Sequence, residues 1–275
     1  MTVPARADWS VLKTRVDNRL SRHFSKTPHQ LRNKHPLVSF TFDDFPESAA
    51  STGVPMLDQY DARATFYVAG DLVGKWSGHW QGIDAHGIVE LHRNGHEIGC
   101  HTFSHVSASD LGASELATQI DGNCRYLQSL DPSIRIENFA YPYGLGSVWR
   151  KAQLAKTFRS SRGIVPGINS GVVDLQYLRS TPLIDRNIDR DGIDRVFDEL
   201  IATNGWLIFY GHDVATEPSP YGCTPALLRH ALEAASRRCS TGKSSRSSAN
   251  RTRGNGWRHS VLSPWATAPS NSRRS

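Results

Sequence analysis

Asp44, His101 and His105 are the right residue types to hold a divalent cation. Two imidazole nitrogens and a carboxylate oxygen leave further positions on the ion open, and such a set commonly activates a water. Amide hydrolysis by that water has a second requirement. An amine anion is a very poor leaving group near neutral pH, so an acid must protonate the departing nitrogen. His212 is the candidate, because it follows the apolar run Trp206 to Tyr210 and Gly211 lets the backbone turn there. In Tyr141-Pro142-Tyr143-Gly144, the Pro and Gly make a tight turn. Such a turn can leave the Tyr143 N–H pointing into a cleft where an oxyanion forms.

Spacing alone is a weak guide to the metal set. With 12 His in the chain, chance supplies about 0.5 pairs four residues apart, and His92 and His96 form a second such pair. Gly95 follows the helical run Ile83 to Asn94, so a C-terminal cap is expected between His92 and His96, which would separate their faces. His101 and His105 instead leave a strand through Thr102, Phe103 and Ser104, and a single helical turn there would aim both rings at one point. Asp43 and Asp44 would point to opposite faces of a regular strand. Both can reach one cavity only where the strand ends, and the Phe45-Pro46 step supplies that ending.

Short β-rich runs at Leu37 to Phe42, Ala64 to Val68, Glu97 to Cys100, Ile136 to Ala140 and Trp206 to Tyr210 alternate with helical patterns. Two weaker strands are expected near Arg162 to Val165 and Leu178 to Leu183. In Asp191 to Asn204, the residues Ile193, Val196, Phe197, Leu200 and Ile201 follow helical spacing, and Gly205 sits where a left-handed cap belongs. Leu116, Ile120, Cys124, Leu127 and Leu130 form a similar stripe, as do Leu227, Leu228, Ala231, Leu232 and Ala235. This alternation predicts an α/β fold with a mostly parallel sheet flanked by helices, open or closed into a barrel. In both architectures the active residues lie at the carboxyl ends of strands, where these motifs sit.

A chain of 275 residues at 38% hydrophobic content can bury one large core. Its net charge of +6 suggests an anionic partner, but from Ser236 to Ser275 there are nine Lys or Arg and no acid, which leaves the body at 6 − 9 = −3. The basic tail 236–275 lacks periodic apolar positions and is expected to be disordered. No nucleic-acid partner is expected from the acidic body. Charged residues interrupt every apolar run up to Leu20, and no window is long enough to span a membrane, so the expected location is cytoplasmic. Cys100, Cys124, Cys223 and Cys239 lack metal-type spacing.

Thr41-Phe42-Asp43-Asp44, the stretch from Gly95 to His105, Tyr141-Pro142-Tyr143-Gly144 and Tyr210-Gly211-His212-Asp213 follow one another in the chain. Together they resemble the polysaccharide deacetylase family, the NodB homology group of carbohydrate esterase family 4. The resemblance spans Leu37 to Ala235 and implies a distorted (β/α)7 barrel in a single domain, residues 37–235, between a 1–36 N-terminal extension and the tail. It also implies that Asp44, His101 and His105 hold one divalent ion while Asp43 stays free as general base. Tyr143 becomes the oxyanion donor, His212 the acid, and Tyr141, Pro142 and Tyr210 the substrate wall. Zinc is the default ion, and the same facial set accepts iron, cobalt or nickel.

Three departures stand out. Many relatives carry Arg where this chain has Ala140, and that Arg orients the base. The family's fourth motif is not recognisable between Gly163 and Asp191, which leaves Asp185 or Asp213 to orient His212. Tyr210 occupies a position where the family prefers Leu. Trp76, Trp80 and Trp149 are expected to pack on the barrel in preference to stacking on sugar rings. The function implied is a metal-dependent hydrolase removing N-acetyl groups from an amino-sugar oligosaccharide, polysaccharide or glycoconjugate. Hydrolysis of another carbon–nitrogen bond, in a small amide or ureide, is one alternative, and a catalytically silent carbohydrate-binding relative is the other.

Overall fold

A computed structural model describes residues 9–239 of the chain. Its centre is a parallel sheet whose strands follow the expected βα alternation: β2 (Leu37–Asp43), β3 (Ala64–Val68), β4 (Glu97–Cys100), β5 (Asn138–Ala140), β6 (Ser160–Arg162), β8 (Thr181–Pro182) and β9 (Trp206–Gly211). They lie side by side in the order β6-β5-β4-β3-β2-β9-β8. The two edges are linked through Leu178, which bonds Ser161 and Gly163 on the β6 side. The sheet thus curls into a distorted barrel closed by a thin seam.

Along β2, Val38, Phe40 and Phe42 alternate with Ser39, Thr41 and Asp43. The apolar set joins the main core with Phe66, Leu207 and Phe209, and the polar set faces the barrel interior, as the period of two demands. Helices cover the outer face: α2 (Val54–Asp58), α3 (Ala85–Arg93), α4 (Ala113–Leu130), α5 (Lys151–Thr157), α6 (Arg190–Thr203) and α7 (Pro225–Cys239). Ile193, Phe197 and Leu200 of α6 are buried, and so are Leu227, Leu228, Ala231, Leu232 and Ala235 of α7. The left-handed cap of α6 falls on Asn204, with φ 44°, one residue before the expected Gly205. Asn tolerates that conformation, whereas Gly205 serves close packing, since a Cβ there would lie 2.3 Å from Ile168.

Three elements near the N-terminal segment lie outside the expected alternation. Helix α1 (Trp9–His23) and the antiparallel pair β1 (Pro28–Gln30) and β7 (Val172–Asp174) tie the described part of the N-terminal segment to the barrel. The Asp17 carboxylate accepts the Val148 N–H at 2.8 Å, and Asn18 accepts that of Gly146 at 3.1 Å. The buried Lys151 ammonium donates to Asp174 at 2.6 Å and to the carbonyls of Ser21 and Phe24. Residues 240–275, most of the expected disordered tail, lie outside the described residues.

Candidate metal and catalytic site

Asp43 is the last residue of β2, and the chain then turns through two left-handed residues, Asp44 (φ 55°) and Phe45 (φ 48°). That turn is how adjacent carboxylates reach one cavity. His101 follows β4 directly, but the segment to His105 is a loop, not the expected helical turn. Thr102 and His105 are themselves left-handed, with φ 57° and 53°. The loop is pinned by α4, where the Gln119 side-chain Oε1 accepts the N–H groups of Phe103 and Ser104 at 3.0 and 2.8 Å.

The result brings the expected ligands together. Asp44 Oδ1 lies 3.2 Å from His105 Nε2 and 3.8 Å from His101 Nε2, and one ligand atom from each residue falls within 4.8 Å of the others. His101 Nδ1 is 2.8 Å from the Ala140 carbonyl oxygen, so Nδ1 carries the proton and Nε2 keeps its lone pair for an ion. Burial lowers the His101 pKa to about 3 and also lowers that of His105, which keeps both rings neutral as ligands must be. Asp44 Oδ1 is buried without a hydrogen-bond partner. Burial, with Asp43 adding to it against the opposing pull of His212, raises the Asp44 carboxyl to about 6. An orphaned carboxylate oxygen beside two neutral imidazoles fits a divalent cation. His92 and His96, by contrast, are separated by Gly95 (φ 86°), with His92 turned to Ser133 and His96 accepting the Ala64 N–H.

Asp43 is 4% exposed and is paired with Arg162, which is 1% exposed. Burial alone would raise the Asp43 carboxyl, but the Arg162 guanidinium, with His101 and His212 adding to it, holds it below the ordinary value. Arg162 stands directly opposite Ala140 in the parallel register of β5 and β6. The guanidinium expected at position 140 is therefore supplied from the next strand. Its carbon lies 4.7 Å from the Tyr67 ring centroid and 5.5 Å from that of Tyr210.

His212 leaves β9 at the same end of the barrel. Its Nδ1 contacts the Tyr221 carbonyl oxygen at 3.2 Å, and its ring lies 5.2 Å from that of Trp80. Neither candidate carboxylate orients it, because Asp185 accepts from Thr224 and Asp213 from Ser219. Tyr143 (φ 58°) is 63% exposed with its ring 4.6 Å from His105. Tyr141 does not form a substrate wall: it is 1% exposed and its hydroxyl donates to the Gln176 carbonyl oxygen. Pro142 is buried as well, and both shape the turn that presents Tyr143. Tyr210 is half-buried beside Arg162. Trp76 and Trp149 are exposed instead of packed, and Trp80 packs on the acid candidate.

Residues 30–157 match the sequence profile of a family described as polysaccharide deacetylase. Over that stretch the chain is similar to the polysaccharide deacetylase family. A chitin deacetylase of Colletotrichum lindemuthianum is 30% identical over 107 residues, 39% of this chain and 40% of the relative. A chitooligosaccharide deacetylase of Bradyrhizobium is 25% identical over 194 residues, 70% of this chain and 77% of the relative. The matches with the bifunctional xylanase/deacetylase of Pseudobutyrivibrio xylanivorans and with the Colletotrichum protein span 16% and 40% of those relatives' lengths. The fold is shared with the family 4 carbohydrate esterase of Streptomyces lividans, solved with acetate, at a TM-score of 0.52 and 18% identity over 73% of this chain and 88% of that one. The profile match ends before Arg162 and His212. Arg162 escaped the sequence reading, although a charged residue inside an expected strand was the available signal, since a buried charge requires a partner.

Proposed function

We propose that this chain is a metal-dependent N-deacetylase that releases acetate from an N-acetylated amino sugar within an oligosaccharide, polysaccharide or glycoconjugate. The observation that carries the reading is Asp43. It is a carboxylate left out of the Asp44, His101 and His105 cluster, held ionised by Arg162, and close enough to His212 to feel its charge. Asp44, His101 and His105 would hold a divalent ion, zinc first, which when bound polarises the acetyl carbonyl and acidifies a water. Asp43 takes the proton as the water oxygen bonds to the carbonyl carbon. The Tyr143 N–H is assigned to the resulting oxyanion, an interaction often worth about 3 kcal/mol. His212 then delivers a proton from Nε2 to the nitrogen as the carbon–nitrogen bond breaks, giving acetate and an amine. Residues 37–235 would form the catalytic domain. No helix among the described residues is long and apolar enough to cross a membrane.

Acetate release from a panel of acetylated sugars, before and after chelation, tests the reading. Activity should vanish on chelation, return with divalent metal, and fall by about 10³-fold or more in Asp43→Asn, as expected when a general base is lost. Full activity in Asp43→Asn would remove the base assignment. The Tyr210 ring beside Arg162 gives some support to a small amide or ureide as substrate, and turnover of cyclic amides in the same assay separates the two. A silent carbohydrate binder has no use for a free base and an acid, so retention of Asp43 and His212 counts against it.

A further inference from the structure

A sizeable cavity lies away from the catalytic end. It occupies the barrel interior below Arg162, has a volume of about 380 Å³, and opens among the loops that precede the strands, at Arg63, Gly95, Arg135 and Arg159. Such a volume falls in the range of small-molecule pockets.

The polar groups of its wall are nearly all used on one another. The Trp206 indole N–H donates to the Ser39 hydroxyl, Thr65 and Asn138 both donate to Glu97, Ser160 donates to Asn138, and Thr41 donates to the Phe209 carbonyl. His96 is one exception, since its Nδ1 accepts the Ala64 N–H and its Nε2 is left buried without a partner, and Arg162 is the other. Only its Nη2 bonds Asp43, and its Nε and Nη1 are buried with no acceptor in hydrogen-bond geometry, the Tyr67 hydroxyl being the nearby side-chain oxygen that interacts with the guanidinium. A buried donor without an acceptor costs about 1–3 kcal/mol, more when charged. What the cavity lacks is therefore acceptor oxygen.

Charge points the same way. Glu97 is the carboxyl on the inner wall, and burial raises its pKa, so its negative charge is disfavoured. At the mouth Arg63 and Arg159 are balanced by Asp58 and Glu137, while Arg135 makes no ion pair with the described residues. We propose that the barrel interior is a second ligand site, entered from the end opposite the catalytic residues, that takes a small oxyanion, a carboxylate or a phosphate, on the inner side of the Arg162 guanidinium. An occupant there would share with Asp43 the cation that holds it, without competing for the metal ligands.

Crystals of the metal-loaded full-length protein, soaked separately in sodium bromide, sodium acetate and sodium phosphate, test the proposal directly. Anomalous bromide density, and acetate or phosphate density, is expected inside the barrel within hydrogen-bond distance of Arg162 Nε or Nη1. In solution, Arg135→Glu should weaken calorimetric binding of whichever of acetate or phosphate enters by about tenfold, because reversing a charge at the entrance opposes anion capture. The circular dichroism of the variant should stay unchanged. The oxyanion that binds more tightly identifies the class. Ordered water alone in the interior, anions only beside Asp44, His101 and His105, or equal affinity in folded Arg135→Glu would each overturn the proposal.

Discussion

Arg162 controls the protonation state of Asp43, so its removal should be visible as a displaced titration. With the guanidinium gone, burial is left to dominate and the Asp43 pKa rises from its depressed position. A base works only when deprotonated. The acid limb of kcat/KM in Arg162→Gln should therefore move upward by about one to two pH units, the usual effect of losing an adjacent opposite charge. Stability responds to pH in the same direction. A depressed carboxyl contributes stability above its unfolded value of 3.8 and loses it as pH falls through the lower folded pKa. Thermal melts of the parent at neutral pH and below 3.8 should show that loss. Leaving Asp43 buried and unpaired should cost about 3–5 kcal/mol, and adding Asp43→Asn to Arg162→Gln should recover part of it. Because Ala140 and Arg162 are register partners, the swap Ala140→Arg with Arg162→Ala should regain part of the lost rate. No recovery in a folded double variant would mean that the guanidinium must approach from β6. At this scale Asp43, Asp44, His101, His105 and His212 were legible because each sits in a local motif. Arg162 was not, because pairing across two strands leaves no trace in adjacent letters.

Elements place these side chains, and the loop from His101 to His105 shows how. Two left-handed residues and a distant glutamine do the work expected of a helical turn. Gln119→Ala should free the Phe103 and Ser104 N–H groups, loosen His105, and weaken metal affinity by about tenfold, the lower end of the effect of outer supports on metal ligands. Competition against a chromophoric chelator measures it, and helix content should not change. Unaltered metal affinity would show that His101, fixed by Ala140, and Asp44 suffice. Five of the seven sheet strands and the main helices were readable because their apolar periods are strong, whereas β6, Ser160–Arg162, lies mostly ahead of the expected run Arg162 to Val165 and β8 is only Thr181–Pro182 within Leu178 to Leu183. The pair β1 and β7 was not, because residues 28–30 and 172–174 are three-residue runs without a clear period and their pairing is long-range. The cap at Asn204 was misplaced by one residue because glycine preference alone does not register the close packing of Gly205 on Ile168.

On the scale of the whole molecule, charge and catalysis separate along the chain. The barrel and its candidate site lie within residues 9–239, whereas the excess positive charge is concentrated beyond Ser236, with nine Lys or Arg and no acid. Helix α7 runs to Cys239, and a cut at Ala235 would remove its last turn with the Arg238 bonds to Asp194 and Asp198 and so confuse folding with function. A chain ending at Cys239 avoids this. It should keep the acetate-release rate of the full chain, since no residue of the proposed chemistry lies beyond it. Any retention of the full chain on DNA should fall with salt as counterion release requires and should be lost in the shortened chain. Loss of catalysis on this cut, with the α7 signal intact, would place a necessary group in the basic tail and contradict the separation of charge from chemistry.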